Sequence, residues 1–250
     1  MTQTAALPID TAMVLAAGLG TRMRPITDRI PKPLVEVAGK TLLDHVLDPL
    51  AEAGVTTAVV NVHHLAEQIV AAVRTRENPR IIVSDERDQL LDSGGGVAKA
   101  LDHLGEAFVI RNGDSFWIDR GPSNIARMIA AFDPARMDTL LLLAALPDAG
   151  ALDGNDSVGF DGPGDFFMDR EGRLERRGQR VAAPYAYAGA AVMRAADFAG
   201  RAAGEVFSLN ALWNASLAQG RLHGLVLNGL WLHVGTSDAI EEAEAAVRAG

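Results

Sequence analysis

The chain has 250 residues, enough for one large domain or one domain with an added lobe, and its 48 % apolar content can fill a sizeable core. A net charge of −9 does not suit a nucleic-acid backbone, and the absence of cysteine excludes disulfides and thiolate chemistry and fits a cytoplasmic protein. No apolar run is long enough for a bilayer, Thr139 to Leu146 being strand-sized, and Thr2 to Asp10 shows no secretion signal, so no membrane association is expected.

Strand and helix signals alternate along the chain. Met13 to Ala16 reads as a buried strand entering a glycine loop, and Leu34 to Val37 as a short strand ending at the Gly39 turn. Thr41 caps a predicted helix whose Leu42, Leu43, Val46, Leu47 and Leu50 share one face, and Gly54 ends it. Strands are expected at Thr57 to Asn61, Arg80 to Ser84, Ala107 to Asn112 and Thr139 to Ala145. Helices are expected through Leu65, Ile69 and Val73, at Gly94 to His103, and from a Ser123 cap to Phe132. This alternation predicts an α/β fold, a parallel sheet with helices on both faces.

After Pro147 the pattern changes. Asp148 to Arg180 is rich in glycine, aspartate and arginine, and reads as hairpins and loops. Regularity returns with a small-residue strand at Tyr185 to Met193, a helix at Leu209 to Ala218, strands at Leu222 to Leu227 and Trp231 to Val234, and a helical tail from Ser237 to Ala249. The expected organisation is a single domain over 1–250, with a core of about 10–147 and 184–250 and a lid or sugar-side insertion of about 148–183.

The chemistry-bearing stretch runs from Met13 to Leu34. Gly18 and Gly20 let the backbone turn sharply, and consecutive N–H groups in such a turn make an anion site. Thr21 adds a hydroxyl; Arg22 and Arg24 add charge suited to phosphate oxygens. Lys32, one of three lysines against twenty arginines, stands between Pro31 and Pro33. A dinucleotide fingerprint is broken by Met23, and a Walker loop ending in Gly39-Lys40-Thr41 is broken by Leu34. Asn112-Gly113-Asp114 follows a strand, where a metal-binding carboxylate would be useful. Leu91-Asp92-Ser93-Gly94-Gly95-Gly96 precedes a helix, and its three glycines let backbone close on a flat ligand. His63 and His64 are adjacent and cannot form a metal pair on one helix face, so a loop role is expected.

The full string Leu-Ala-Ala-Gly-Leu-Gly-Thr-Arg-Met-Arg-Pro with Pro31-Lys32-Pro33 resembles the signature of the sugar-1-phosphate nucleotidylyltransferases. The triple glycine, Gly164-Asp165-Phe166, Phe207-Ser208-Leu209 and Trp231-x-His233-Val234-Gly235-Thr236 look most like the branch that uridylylates N-acetylmuramic acid 1-phosphate in cell-wall recycling. The resemblance implies a three-layer, Rossmann-like, mostly parallel sheet with a small sugar-side β lobe, the GT-A-like nucleotidyltransferase fold. It implies that Ala16, Ala17, Gly18, Gly20, Thr21, Arg22, Lys32, Gly94, Gly95 and Asn112 bind the nucleotide, that Lys32, Arg22 and Asp114 are catalytic, and that Asp114 holds Mg²⁺ or Mn²⁺. Asp165 and Tyr187 are candidates for sugar contacts. The basic group Arg173, Arg176, Arg177 and Arg180 is a candidate for an acidic sugar phosphate.

His233 stands where the family usually has a second metal-ligating aspartate. Three expectations follow: a metal held by Asp114, phosphates and water, which is favoured; a softer ion; or an impaired site. The expected partners are an NTP and a sugar 1-phosphate, with UTP and N-acetylmuramic acid 1-phosphate first. Mannose or glucose 1-phosphate with another NTP, and a silent nucleotide-sugar sensor, are the alternatives. The chain is expected to be a monomer or a small homo-oligomer.

Overall fold

Apolar runs without alternation, such as Thr139–Ala145, need burial on both faces, which a sheet between two helical layers supplies. The computed structural model describes residues 7–146 and 156–249. Residues 2–6, part of the stretch read for a secretion signal, and 148–155, the head of the expected insertion, lie outside the described residues.

The first half contains β1 (Thr11–Leu15), β2 (Glu36–Val37), β3 (Lys40–Thr41), α1 (Leu42–Glu52), β4 (Thr57–Val62), α2 (Ala66–Val73), β5 (Arg80–Asp85), α3 (Asp92–Ala100), β6 (Ala107–Asn112), β7 (Ser115–Asp119), α4 (Asn124–Ala131) and β8 (Thr139–Ala145). The second half contains β9 (Asp156–Val158), β10 (Phe166–Met168), β11 (Leu174–Arg176), β12 (Tyr185–Arg194), α5 (Asn210–Ala218), β13 (Leu222–Val226), β14 (Gly229–His233) and α6 (Asp238–Ala249).

The main sheet has the order β5–β4–β1–β6–β12–β8–β13, and within that order only β12 runs against its neighbours. The β10–β11 hairpin joins it where β12 begins, with Phe166 opposite Tyr185. A second sheet, β7–β14–β9, pairs Ser115 with His233 and Trp117 with Trp231. The strands of residues 156–176 are thus divided between the two sheets.

Successive residues of the central strands feed two cores. Met13, Val59, Phe108 and Leu141 meet Val97 of α3 and Leu212 and Trp213 of α5. Val14, Val60, Val109, Leu140 and Leu142 meet Leu47 of α1, Ile69 of α2 and Met128 of α4. A third cluster joins Met23 and Val35 near the glycine loop to Phe116, Leu232 and Ala243, tying the second sheet and α6 to that loop.

Two local expectations change. The strand expected from Leu34 is a 3₁₀ turn over Lys32–Leu34 followed by the two-residue β2, because Pro33 fixes a φ that suits a helical turn. The strand β7 follows the Asn112-Gly113-Asp114 turn directly and was not expected; its Phe116-Trp117-Ile118 run has the β-preferring side chains that mark it. Thr41 and Ser123 cap their helices as read, accepting from the amides of Asp44 and Ala126.

The chain winds outward from β1 to β4 and β5, then returns to β6 on the other side of β1. The carboxyl ends of β1 and β6, where Leu15 pairs with Asn112, are therefore the switch point at which open α/β sheets bind ligands.

Leu142, fully buried in β8 between the helical layer and its strand neighbours, sets a stability test. Leu142→Ala is expected to lower unfolding free energy by ~2–5 kcal/mol in urea titrations, whereas Val181→Ala, at a site 93 % exposed, is expected to stay within about 0.5 kcal/mol.

Candidate active site

Beyond Leu15 the chain turns through Ala16, Ala17 and Gly18. The side chain of Asn61, at the end of β4, accepts from the amides of Ala16 (2.7 Å) and Ala17 (3.3 Å). A Cβ on Gly18 would meet nothing within 4 Å, so packing does not require glycine there, and the space is open to a ligand. Gly20 differs: its φ of +63° is left-handed, and a Cβ would lie 2.8 Å from Thr27 Cγ2 and 3.2 Å from Lys32 Cβ. Its carbonyl accepts the Thr27 hydroxyl at 2.8 Å. The turn thereby seats Lys32 against itself.

Lys32 Nζ lies 3.2 Å from Asp114 Oδ2, across 82 residues of sequence. Lys32 is buried and Asp114 half-buried, in the turn between β6 and β7. Burial pushes the Asp114 carboxyl pKa up, but the charges of Lys32, His233 and Arg22 and the Lys32 hydrogen bond together hold it below the usual carboxylate value. His233 reaches this neighbourhood because β14 pairs it with Ser115. Burial lowers its imidazole pKa, as do Lys32 and Arg22, against the raising effect of Asp114. A Cβ on Gly235 would lie 2.9 Å from His233 Nε2 and 3.3 Å from Arg22 Nη1, so this glycine lets the two basic groups converge.

A cleft of about 520 Å³ opens at the switch point, and Ala16, Ala17, Gly18, Lys32, Asn112 and Asp114 all line it. Leu90, Asp92, Ser93 and Val206 line it too; Leu90 and Val206 are exposed apolar side chains that can cover a flat ring. Arg22 and His233 line a second cavity of about 560 Å³ with Phe160, Asp161 and Thr236. Gly20 and Thr21 line neither of these two.

Several expected contacts are placed elsewhere. The amides of Gly94 and Gly95 donate to the Phe207 carbonyl at 2.9 and 3.1 Å, and a Cβ on Gly95 would lie 2.2 Å from the Glu205 carbonyl oxygen. These two glycines pack α3 against residues 205–207, behind the cleft wall. Asp165 Oδ2 accepts from the Tyr187 amide at 2.9 Å, and the Tyr187 ring stands edge-on to Trp213 with its hydroxyl buried and unpartnered. Neither residue lines the two cavities. The arginine group is partnered within its own region. Arg173 pairs with Asp169, Arg176 with Asn210, Arg177 with the Gly164 carbonyl, and Arg180 with Glu175 while lying 4.0 Å over the Phe167 ring. His63 and His64 take loop roles, bonded to the carbonyls of Glu86 and Thr27.

The sequence reading missed Asn61 and Glu86, both buried and both lining the cleft. Their signal is positional: each is a polar residue at or just beyond the carboxyl end of a strand adjoining β1 or β4. Among the described residues no three His, Cys, Asp or Glu side chains converge on a metal position, and no helix is long and apolar enough to cross a membrane.

Residues 12–147 match the family described as the MobA-like NTP transferase domain. The chain is 46 % identical over 239 residues to the N-acetylmuramate alpha-1-phosphate uridylyltransferase of Caulobacter vibrioides, covering 94 % of this chain and 95 % of that protein. It is 35 % identical over 238 residues to the protein of the same name from Neisseria meningitidis serogroup B, covering 94 % and 96 %. The solved UDP-glucose pyrophosphorylase from Acinetobacter baumanii shares the fold, with a TM-score of 0.74 at 20 % identity over 96 % of this chain and 93 % of that one. With the glycine turn, Lys32 and Asp114 gathered at the switch point of such a sheet, the chain belongs to the MobA-like NTP transferase family and, within it, to the sugar-1-phosphate nucleotidylyltransferases.

Proposed function

We propose that this enzyme joins UTP and N-acetylmuramic acid 1-phosphate to give the uridine diphosphate sugar and pyrophosphate, in the cytoplasm, as a step of cell-wall recycling. The observation that carries the chemistry is the Lys32–Asp114 contact at the mouth of a cleft whose glycine turn leaves open space at Gly18. The choice of base and sugar rests on the relative that is 46 % identical over nearly the whole length of both chains.

In this reading an oxygen of the sugar phosphate attacks the α-phosphorus of UTP, the bond to the bridging oxygen breaks, and pyrophosphate leaves. No covalent intermediate on the protein is required, so the protein contributes positioning and charge. The first turn amide not taken by Asn61 is that of Gly18, and the phosphates lie along the turn from there. Lys32 neutralises charge at the α-phosphate, and Arg22, beyond it, holds the departing pyrophosphate. Asn112, at the end of β6, faces the nucleotide or the incoming sugar phosphate.

The residues present fit a divalent cation held by one carboxylate. Asp114 is ionised at neutral pH, its pKa being held down, and Mg²⁺ commonly takes one or two carboxylates, substrate phosphates and water. His233 is a poor ligand for so hard an ion. When bound, such an ion supplies charge neutralisation on the phosphate oxygens.

Three measurements test this reading. A panel of sugar 1-phosphates and NTPs, read by pyrophosphate release, is expected to show highest kcat/KM for UTP with N-acetylmuramic acid 1-phosphate; a clear preference for mannose or glucose 1-phosphate overturns the sugar assignment. Lys32→Ala is expected to lower kcat by on the order of 10²-fold or more, as removal of a preorganised charge donor does, and a variant within twofold of the parent removes Lys32 from the mechanism. With Mg²⁺, His233→Ala is expected to keep activity and Asp114→Ala to lose it; equal losses contradict the one-carboxylate site.

A further inference from the structure

The cleft floor holds a buried polar chain that the mechanism above does not use. Asn61 and Glu86 are 2 % and 1 % exposed. Asn61 Oδ1 accepts from the amides of Ala16 and Ala17, and Asn61 Nδ2 donates to Glu86 Oε1 at 2.7 Å. Glu86 Oε2 accepts from the Leu91 amide at 3.2 Å. The Glu86 backbone is held as well, its amide donating to the Val62 carbonyl at 2.8 Å and its carbonyl bonded by His63 Nδ1 at 2.6 Å. Space for the pair comes from α3: a Cβ on Gly96 would lie 2.8 Å from both Asn61 Nδ2 and Glu86 Oε1. That contact accounts for the third glycine of Gly94-Gly95-Gly96.

We propose that Asn61 and Glu86 are positioning residues that lock the phosphate turn, through Ala16 and Ala17, to the opposite rim of the cleft, through Leu91, and so set the distance between the two walls that grip the nucleotide. This inference rests on the nucleotide reading of the cleft. Donation converges on the Glu86 carboxylate from both walls: the turn amides donate into Asn61 Oδ1 and Asn61 Nδ2 into Glu86 Oε1, while the Leu91 amide donates into Glu86 Oε2. Side chains this buried take their partners from one another, so each link dictates the orientation of the next. By occupying the Ala16 and Ala17 amides, Asn61 also determines that anion binding starts at Gly18. Leu90, beside Leu91, and Ser93 on the same rim are carried with it, and both line the cleft.

The logic of donors and acceptors supplies the test. Asn61→Asp sets two carboxylate oxygens against each other in a buried site. Glu86→Gln leaves two donors facing each other, at Asn61 or at Leu91, whichever way the amide turns. The double variant Asn61→Asp/Glu86→Gln restores every link: the aspartate accepts from Ala16, Ala17 and the glutamine Nε2, and the glutamine Oε1 accepts from Leu91. Amide hydrogen exchange at Ala16, Ala17 and Leu91 is measured without nucleotide, and kcat and KM for the NTP and for the sugar phosphate are measured at a temperature where circular dichroism shows all variants folded.

The expected result is that each single variant raises exchange at both walls together and lowers kcat/KM for the NTP at least tenfold, and that the double variant recovers most of both. Because the relay grips the nucleotide side, the KM for the NTP should rise more than that for the sugar phosphate, a split that general destabilisation does not produce. Exchange that rises on one wall only, kinetics unchanged in both single variants, or a double variant no better than the worse single, overturns the proposal. If the parent protein turns over no NTP, the functional reading falls and the exchange pattern alone decides for or against the relay.

Discussion

A lysine and an aspartate 82 residues apart meet at 3.2 Å, and most of the structure around the cleft serves that approach. Taking an ammonium group out of water is costly unless an opposite charge and good geometry offset it. Lys32 is buried and finds Asp114, which is half-buried and held ionised by Lys32, His233 and Arg22. Two cations, Lys32 and Arg22, beside one carboxylate leave an excess of positive charge in a chain whose net charge is −9. Such a local excess attracts a polyanion with its counterion, and the low-dielectric floor of the sheet strengthens it.

The rest of the fold holds the members of this group to their places. β1 and β6 end side by side and deliver the glycine turn and the Asp114 turn to one point. Gly20 turns the chain back so that Lys32 packs against it. The second sheet matters equally: β7 leaves Asp114 directly, and its pairing with β14 brings in His233 from the other end of the chain. The third apolar cluster, from Met23 to Ala243, anchors this sheet beneath the Arg22 segment. A buried arginine underlies the turn from β6 into β7. Arg111 donates to the carbonyls of Gly189 and Ser115 and lies 3.8 Å from the Trp117 ring centre, so the β6–β7 turn is braced from below.

Away from the cleft, charge is spent on architecture. Asp138, buried just before β8, takes Arg194 at 2.5 Å and Arg221 at 2.6 Å, tying the starts of β8 and β13 to the end of β12. The arginines of residues 173–180 are likewise held by Asp169, Asn210, Glu175 and backbone carbonyls near them. The basic groups at the switch point are unlike these: Arg22 and Lys32 from the glycine-turn segment and His233 from β14 surround a single carboxylate, beside open space.

The sequence by itself determined the α/β alternation, the helix caps at Thr41 and Ser123, the doubly buried strand Thr139–Ala145, and the family signature in the glycine turn and Pro-Lys-Pro. These are local patterns, and period, capping and short motifs are physically local. Only the tertiary structure decided which polar residues share the cleft. Gly94 and Gly95 look from sequence like ligand-binding backbone, yet their amides are taken by Phe207, a contact across more than a hundred residues. Asp165 looks like a sugar ligand, yet it is bonded to the Tyr187 amide, because β10 joins β12 there. Asn61 and Glu86 carry no motif at all. Their place in the cleft comes from β4 ending beside β1 and β5 beside β4, and strand order, unlike helix period, depends on which distant segments find each other.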